Sequence, residues 1–274
     1  MTEVSARGGV VRFGPGLATV LIGERINPTG RRRFGEALRR GDLTTVKAEA
    51  ARQVDAGADI LDVNVGAGEL DEVATLAAAV ELVTSCVDVP ICIDSSDAAA
   101  LAAALAVYDG KALVNSVTAE EASMDAVLPV VAERGAAVIA LPCDENGIPA
   151  DPRRRVTLAA RILEAAARVG IPRDDVVVDG LCTPVGREPD AATRALETLR
   201  LVREELGVST TVGASNISFG LPERHVLNVA FLAMAIEAGV SAPITDVTAP
   251  ELRRLCRASD LLARRGPPDR EAQS

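Results

Sequence analysis

The stretch Ala56-Gly57-Ala58-Asp59-Ile60-Leu61-Asp62-Val63-Asn64 carries a helical pattern to a Gly stop, then a short aliphatic run, then an Asn. A Gly just beyond a helix accepts the left-handed turn that ends it. A parallel strand covered on both faces reads as a near-continuous apolar run. The same helix, Gly, strand succession recurs at Arg134-Gly135-Ala136, Val169-Gly170-Ile171 and Leu206-Gly207-Val208.

Working outward from that unit, eight strand runs are predicted: Thr19–Gly23, Asp59–Val63, Pro90–Ile93, Ala112–Val114, Ala137–Leu141, Asp175–Val178, Thr210–Gly213 and Pro243–Thr245. Ala-rich helical stretches separate them, near 42–57, 71–86, 97–107, 123–134, 153–169, 190–206, 221–238 and 249–264, several opened by a cap such as Asp42, Ser123 or Asp190. Eight consecutive βα units predict a single (β/α)₈ barrel, and 274 residues suit that fold. The absence of GxGxxG after the first strand weighs against an open doubly wound sheet. Nothing reads as an interdomain linker, so residues 1–274 form one domain. Residues 1–16 are expected to cap the bottom of the barrel, and 264–274 to be a disordered tail.

Composition narrows the classes of function. The chain is 48% hydrophobic but 2% aromatic with no Trp, so the core must be built from Ala, Val, Leu and Ile. A formal charge of −10 disfavours nucleic acid as a partner. No leader or membrane span is evident, which predicts a soluble cytoplasmic protein. Five cysteines without a CxxC pair suggest reduced thiols, and His225 as the one histidine argues against a His-based metal site. The two lysines, Lys47 and Lys111, lie away from strand ends, which disfavours imine chemistry.

Barrel chemistry sits at the C-terminal ends of strands. There the chain places Glu24, Arg25 and Asn27, then Asn64, Asp94, Asn115, Asp144, Asp179, Asn216 and Asp246. Each alone is as easily a helix cap or an Asx turn. Together, without a nucleophilic Ser elbow, they suit recognition of a flat heterocycle rich in donors and acceptors. A Mg²⁺ site built from Asp94, Asp179 and Asp246 stays open as a lesser reading.

Five strings, Ile22-Gly23-Glu24-Arg25-Ile26-Asn27, Asp62-Val63-Asn64-Val65-Gly66, Ile93-Asp94-Ser95, Val114-Asn115-Ser116 and Gly213-Ala214-Ser215-Asn216-Ile217-Ser218, resemble those of the pterin-binding methyltransferases. That group includes methyltetrahydrofolate:corrinoid protein methyltransferases and the folate domain of cobalamin-dependent methionine synthase. The resemblance runs in order over roughly residues 19 to 248 and implies a pterin-binding, dihydropteroate synthase-like barrel. It implies that Asp94, Asn115 and Asp179 bind the pterin ring, with Asn64 and Ser218 in the same site. Asn216 would contact N5 and be the catalytic residue. It further implies tetrahydrofolate or methyltetrahydrofolate as substrate, cobalamin carried by a separate corrinoid protein, no metal bound by this chain, and a homodimer, for which Val226–Ala238 offers apolar surface.

The rivals are a dihydropteroate synthase-like enzyme, whose Lys after the seventh-strand Ser is missing here, and a folate-binding protein without turnover. Several features remain open on sequence grounds. Glu24 and Arg25 form an ion pair or orient the first loop. Arg31, Arg32 and Arg33, in a loop spanning 27–41, contact a glutamate tail or a partner, or are a solvated charge run. Cys143 and Cys182 line the pocket or pack, and His225 is read as a helix-surface or core residue.

Overall fold

The computed structural model describes residues 1–66, 68, 70–249 and 251–266. An antiparallel hairpin, β1 (Thr2–Ala6) and β2 (Gly9–Phe13), precedes eight parallel strands. These are β3 (Ile22–Ile26), β4 (Ile60–Asn64), β5 (Ile91–Asp94), β6 (Leu113–Thr118), β7 (Ala137–Leu141), β8 (Val176–Asp179), β9 (Thr210–Thr211) and β10 (Ile244–Thr245). They pair in chain order, with β10 against β3. The last gap closes through a parallel bridge between Gly213 and Ile244, with Ile244 N donating to Val212 O at 3.0 Å. The eight-unit barrel expected from the sequence is the fold.

The outer layer holds α2 to α9: Thr44–Asp55, Glu72–Cys86, Ala98–Val107, Glu121–Arg134, Pro152–Arg168, Ala191–Leu201, Arg224–Ala238 and Leu252–Leu262. The earlier α1 (Arg32–Arg39) occupies what the sequence reading leaves as a loop. Its buried Phe34, Ala37 and Leu38 have helical spacing, a signal masked by the arginine run around them. The capping assignments also change. Asp42 bonds Thr44 N ahead of its helix, Ser123 accepts from Thr118 N, and Asp190 makes no capping bond. Asp71, Asp97 and Asp151 accept the N-terminal amides instead. In α8 the residues Phe231, Leu232, Ala235, Ile236 and Ala238 pack inward, while Val226 and Met234 stay exposed.

Side chains alternate along each strand between two cores. Leu61, Val63, Ile91, Ile93, Val114, Val138, Val176 and Val178 face the helices. Ile22, Ile60, Cys92, Leu113, Ile139, Val177 and Ile244 fill the barrel, joined from below by Val4, Val11 and Phe13 of the hairpin. Within residues 1–16 the chain forms this hairpin, and its Val4, Val11 and Phe13 extend the interior core. Ser5 N bonds Lys111 O, Tyr108 Oη donates to Ser5 O at 2.8 Å, and Thr2 Oγ1 donates to Ser209 Oγ at 2.7 Å.

Residues 264–266 of the predicted tail are placed against the barrel. Arg265 is held under the barrel by Val240 O at 2.6 Å, and Gly266 N bonds Gly16 O; residues 267–274 lie outside the described residues. No helix among the described residues is long and apolar enough to cross a membrane.

Phe13 is fully buried in the barrel interior. Replacing it with Ala should lower unfolding stability by about 3–5 kcal/mol through the cavity left behind. Urea denaturation checks this, and Phe13→Ala should leave ligand affinity at the opposite end intact.

Candidate active site

The two-residue alternation that puts Ile22, Ile60, Cys92, Leu113, Val177 and Ile244 inside the barrel puts Glu24, Asp62, Asp94, Asn115, Asp179 and Asp246 one step higher on the same face. Above the last apolar layer opens a cavity of about 790 Å³. Its wall includes Glu24, Arg25, Asn27, Arg31, Asp62, Asp94, Asn115, Asp179, Ser215 and Asn216. Of the residues expected to form the site, Asp94, Asn115, Asp179 and Asn216 thus share one cavity. Asn64 and Ser218 do not line it.

Asp62 is the member that sequence reasoning missed. It sits mid-strand, 2% exposed, in a run where a carboxyl has no structural excuse. Burial, and then the neighbouring Asp94 charge, hold its pKa well above the ordinary carboxylate range. Asn115 Nδ2 donates to Asp62 Oδ1 at 3.2 Å. Asp94 is pushed up to about 6 by burial, against hydrogen bonds from Asn64 and from Asp62. Asn64 therefore holds Asp94 from outside the cavity. Its own Oδ1 accepts from Gly66 N. Asp94 and Asn115 are direct register partners across β5 and β6.

Asp179 stands separately at the end of β8, buried, with Oδ1 accepting from Leu181 N at 2.7 Å. Burial raises its pKa to about 6, against that amide and the more distant Arg155 charge. Arg155 is 1% exposed, the largest fully buried side chain, and it donates to Pro149 O, Gly180 O and Leu181 O. A buried guanidinium satisfied by three backbone carbonyls ties the loop after β7 to the loop after β8.

Past β9 the chain turns through a 3₁₀ segment, Ala214–Ser218. Asn216 is exposed to the cavity, and its amide has no hydrogen-bond partner among the described residues. Its Nδ2 lies so near Gly213 that a Cβ there would stand 2.7 Å away, so only glycine leaves this rotamer undisturbed. Ser218, expected in the site, is fully buried and supports it: its hydroxyl donates to Asn228 Oδ1 and accepts from Arg224 Nε.

Glu24 and Arg25 do not pair as one of the sequence readings had it. Arg25 lies 3.3 Å from Asp246, while Glu24 faces the Ser215 hydroxyl. Burial raises Glu24 to about 7, with Ser215, Arg25 and Arg224 opposing and Asp246 assisting. Of the arginine run, Arg31 pairs with Glu49 and bonds Arg25 O at the cavity wall, and Arg32 pairs with Glu36 on the surface. Cys182 lines the cavity, whereas Cys143 does not; both thiols are raised by burial. His225, half exposed, pairs with Glu251 beside a smaller adjoining cavity of about 230 Å³. Among the described residues no three His, Cys, Asp or Glu side chains converge as a metal shell.

Residues 23–246 match the family model described as pterin binding enzyme. The chain belongs to that pterin-binding enzyme family. It is 32% identical over 259 residues to methionine synthase of Mycobacterium tuberculosis, covering 90% of this chain and 22% of that protein. It is 28% identical over 249 residues to the methylcorrinoid:tetrahydrofolate methyltransferase of Eubacterium limosum, covering 89% of this chain and 90% of that one. Against methionine synthase the chain thus spans about a fifth of the relative's length. In fold it matches dihydropteroate synthase of Xanthomonas albilineans, solved with 7,8-dihydropteroate: TM-score 0.71 at 19% identity, covering 95% of this chain and 98% of the other. The Yersinia pestis dihydropteroate synthase carrying a pterine-sulfa conjugate gives 0.68 at 16%, covering 96% and 98%.

The cavity of this pterin-binding enzyme family member is costly in the ligand-free state. A carboxyl whose folded pKa lies above its unfolded value stabilises the fold while protonated and destabilises it once ionised. Asp179→Asn should therefore raise the melting temperature by several degrees at pH 8, where a shift from about 4 to about 6 costs on the order of 3 kcal/mol. The gain should fade as pH falls from about 6 to about 4, which thermal melts across that range will report.

Proposed function

We propose that this chain moves a methyl group between N5 of tetrahydrofolate and the cobalt of a corrinoid carried by a separate protein. The observation that carries the reading is a floor of acceptors, Asp94, Asn115 and Asp179, in the same cavity as an unpartnered Asn216 amide. A pterin presents its 2-amino group, N3 and N8 as donors along one edge. Ionised Asp94 and Asp179 receive such donors, and charge-assisted hydrogen bonds replace the water that burial removed. Similarity to a methylcorrinoid:tetrahydrofolate methyltransferase over nine-tenths of both chains supports the same reaction class.

In the transfer from folate, the bond between N5 and the methyl carbon breaks, and its electron pair stays on N5. The Co(I) substrate supplies the pair that forms the new bond and ends as alkyl-Co(III). N5 is a poor leaving group until it gains a proton, so the residues around it govern the barrier. Asn216 Oδ1 accepts from protonated N5 and stabilises it without having to ionise. Glu24, titrating near 7 on the same wall, supplies that proton at neutrality and recovers one from water. In the reverse direction the same groups take the proton away.

Mixing methyltetrahydrofolate with a Co(I) corrinoid protein in the presence of this chain should produce the absorbance of methylcobalt. Tight pterin binding with no spectral change, using a competent corrinoid protein, would contradict the reaction. Asn216→Ala should slow transfer about a hundredfold while pterin affinity changes little. If that variant loses only affinity, the role given to Asn216 is wrong.

A further inference from the structure

Asp179 ends its strand on a turn whose four backbone polar groups all have partners. Gly180 N donates to Thr211 O of β9 at 2.9 Å, and Leu181 N donates to Asp179 Oδ1 at 2.7 Å. The two carbonyls of the same turn, Gly180 O and Leu181 O, accept from one terminal nitrogen of Arg155 at 3.0 and 2.9 Å. Asp179 Oδ2 makes no hydrogen bond among the described residues, and Asp179 lines the cavity.

The turn does not hold itself. Leu181 takes a φ of 51°, a left-handed conformation that a residue with a Cβ avoids. Arg155 restrains it from the first turn of α6, which Asp151 caps by accepting from Arg153 N at 2.9 Å. Helical side chains lean toward the helix N-terminus, so the guanidinium reaches back to the barrel mouth. There its Nε also donates to Pro149 O at 2.8 Å. Arg155 is 1% exposed and its hydrogen bonds all go to neutral carbonyls, a desolvation cost that a plain loop tie does not require. Burial, then the Arg194 charge, lowers its pKa, against Glu188 and Asp179. The Arg155 charge in turn favours the ionised form of Asp179, the form that accepts donors.

We propose that Arg155 is the positioning residue for Asp179: it fixes both carbonyls of the turn, so that the Leu181 amide is aimed at Oδ1 and Oδ2 faces the pterin donors. The inference rests on the folate reading above and adds to it a residue that does not line the cavity. Arg155 works as a planar fork, with Nε on one loop and a terminal nitrogen on the next, a span that a lysine ammonium does not cover. The titratable groups that act on or feel Asp179 are Arg155 and the thiols of Cys143 and Cys182, both raised by burial and so neutral below pH 8.

The test is a double-mutant cycle on tetrahydropterin affinity, with Arg155→Lys, Asp179→Asn and the pair. Arg155→Lys keeps the charge and loses the fork, and should weaken binding about tenfold. In the Asp179→Asn background the same change should have little further effect. A second readout needs no ligand. Losing the Leu181 amide raises the Asp179 pKa, so in Arg155→Lys or Arg155→Gln the stability gained from Asp179→Asn should begin to fade at a pH above its wild-type onset near 6. Equal losses of affinity in both backgrounds, or a lower melting temperature with affinity and onset pH unchanged, overturn the positioning role. If Arg155→Gln does not fold, Arg155→Lys decides alone. Failure of the wild-type protein to bind tetrahydropterin sinks the folate reading itself, and the ligand-free melts then still decide whether Arg155 holds Asp179.

Discussion

Desolvation of carboxyl groups at the mouth of the barrel governs the site. Glu24, Asp62, Asp94 and Asp179 all project from barrel strands into one cavity, and burial is the largest influence on each of them. The cations nearby are engaged elsewhere: Arg25 with Asp246, Arg31 with Glu49, and Arg155 with backbone carbonyls. Burial therefore opposes the ionisation of each of these carboxyls, most strongly at Asp62. A ligand that brings hydrogen-bond donors to Asp94 and Asp179 relieves the same cost, so affinity and selectivity come from one source.

The fold makes this possible through the period of two along parallel strands. Each interior aliphatic side chain, such as Ile60, Cys92 or Val177, is followed two residues later by the polar group that uses the position above it. The hairpin packs Val4, Val11 and Phe13 into the interior core at the end away from the cavity. Asn216 alone among the central groups is set on a turn past its strand, against Gly213, where its amide stays uncommitted.

Much of this was legible in the sequence. The Gly stops after helices and the aliphatic runs gave the eight units, because both features record backbone geometry directly. Asp94, Asn115, Asp179 and Asn216, which line one cavity, were legible because each follows or closes a predicted strand run. Asp62 was not, because it sits mid-run, and its meaning depends on the parity shared with Ile60 rather than on a boundary. The helix Arg32–Arg39 was hidden by surface charge around a three-residue apolar stripe. Ser218 was placed in the site by resemblance, yet its hydroxyl is spent on Asn228 and Arg224. Hydrogen-bond destinations between distant loops, such as those of Arg155, have no local signature.

The raised Asp62 carboxyl beside Asp94 is the feature on which the acceptor floor rests. Difference infrared spectroscopy of the protein in deuterated buffer reads it directly, since a protonated carboxyl has its own C=O band. At pH 8 the wild-type protein should show that band, and Asp62→Asn should remove it. A wild-type spectrum with no protonated carboxyl at that pH, or a band that survives Asp62→Asn unchanged, would contradict the account.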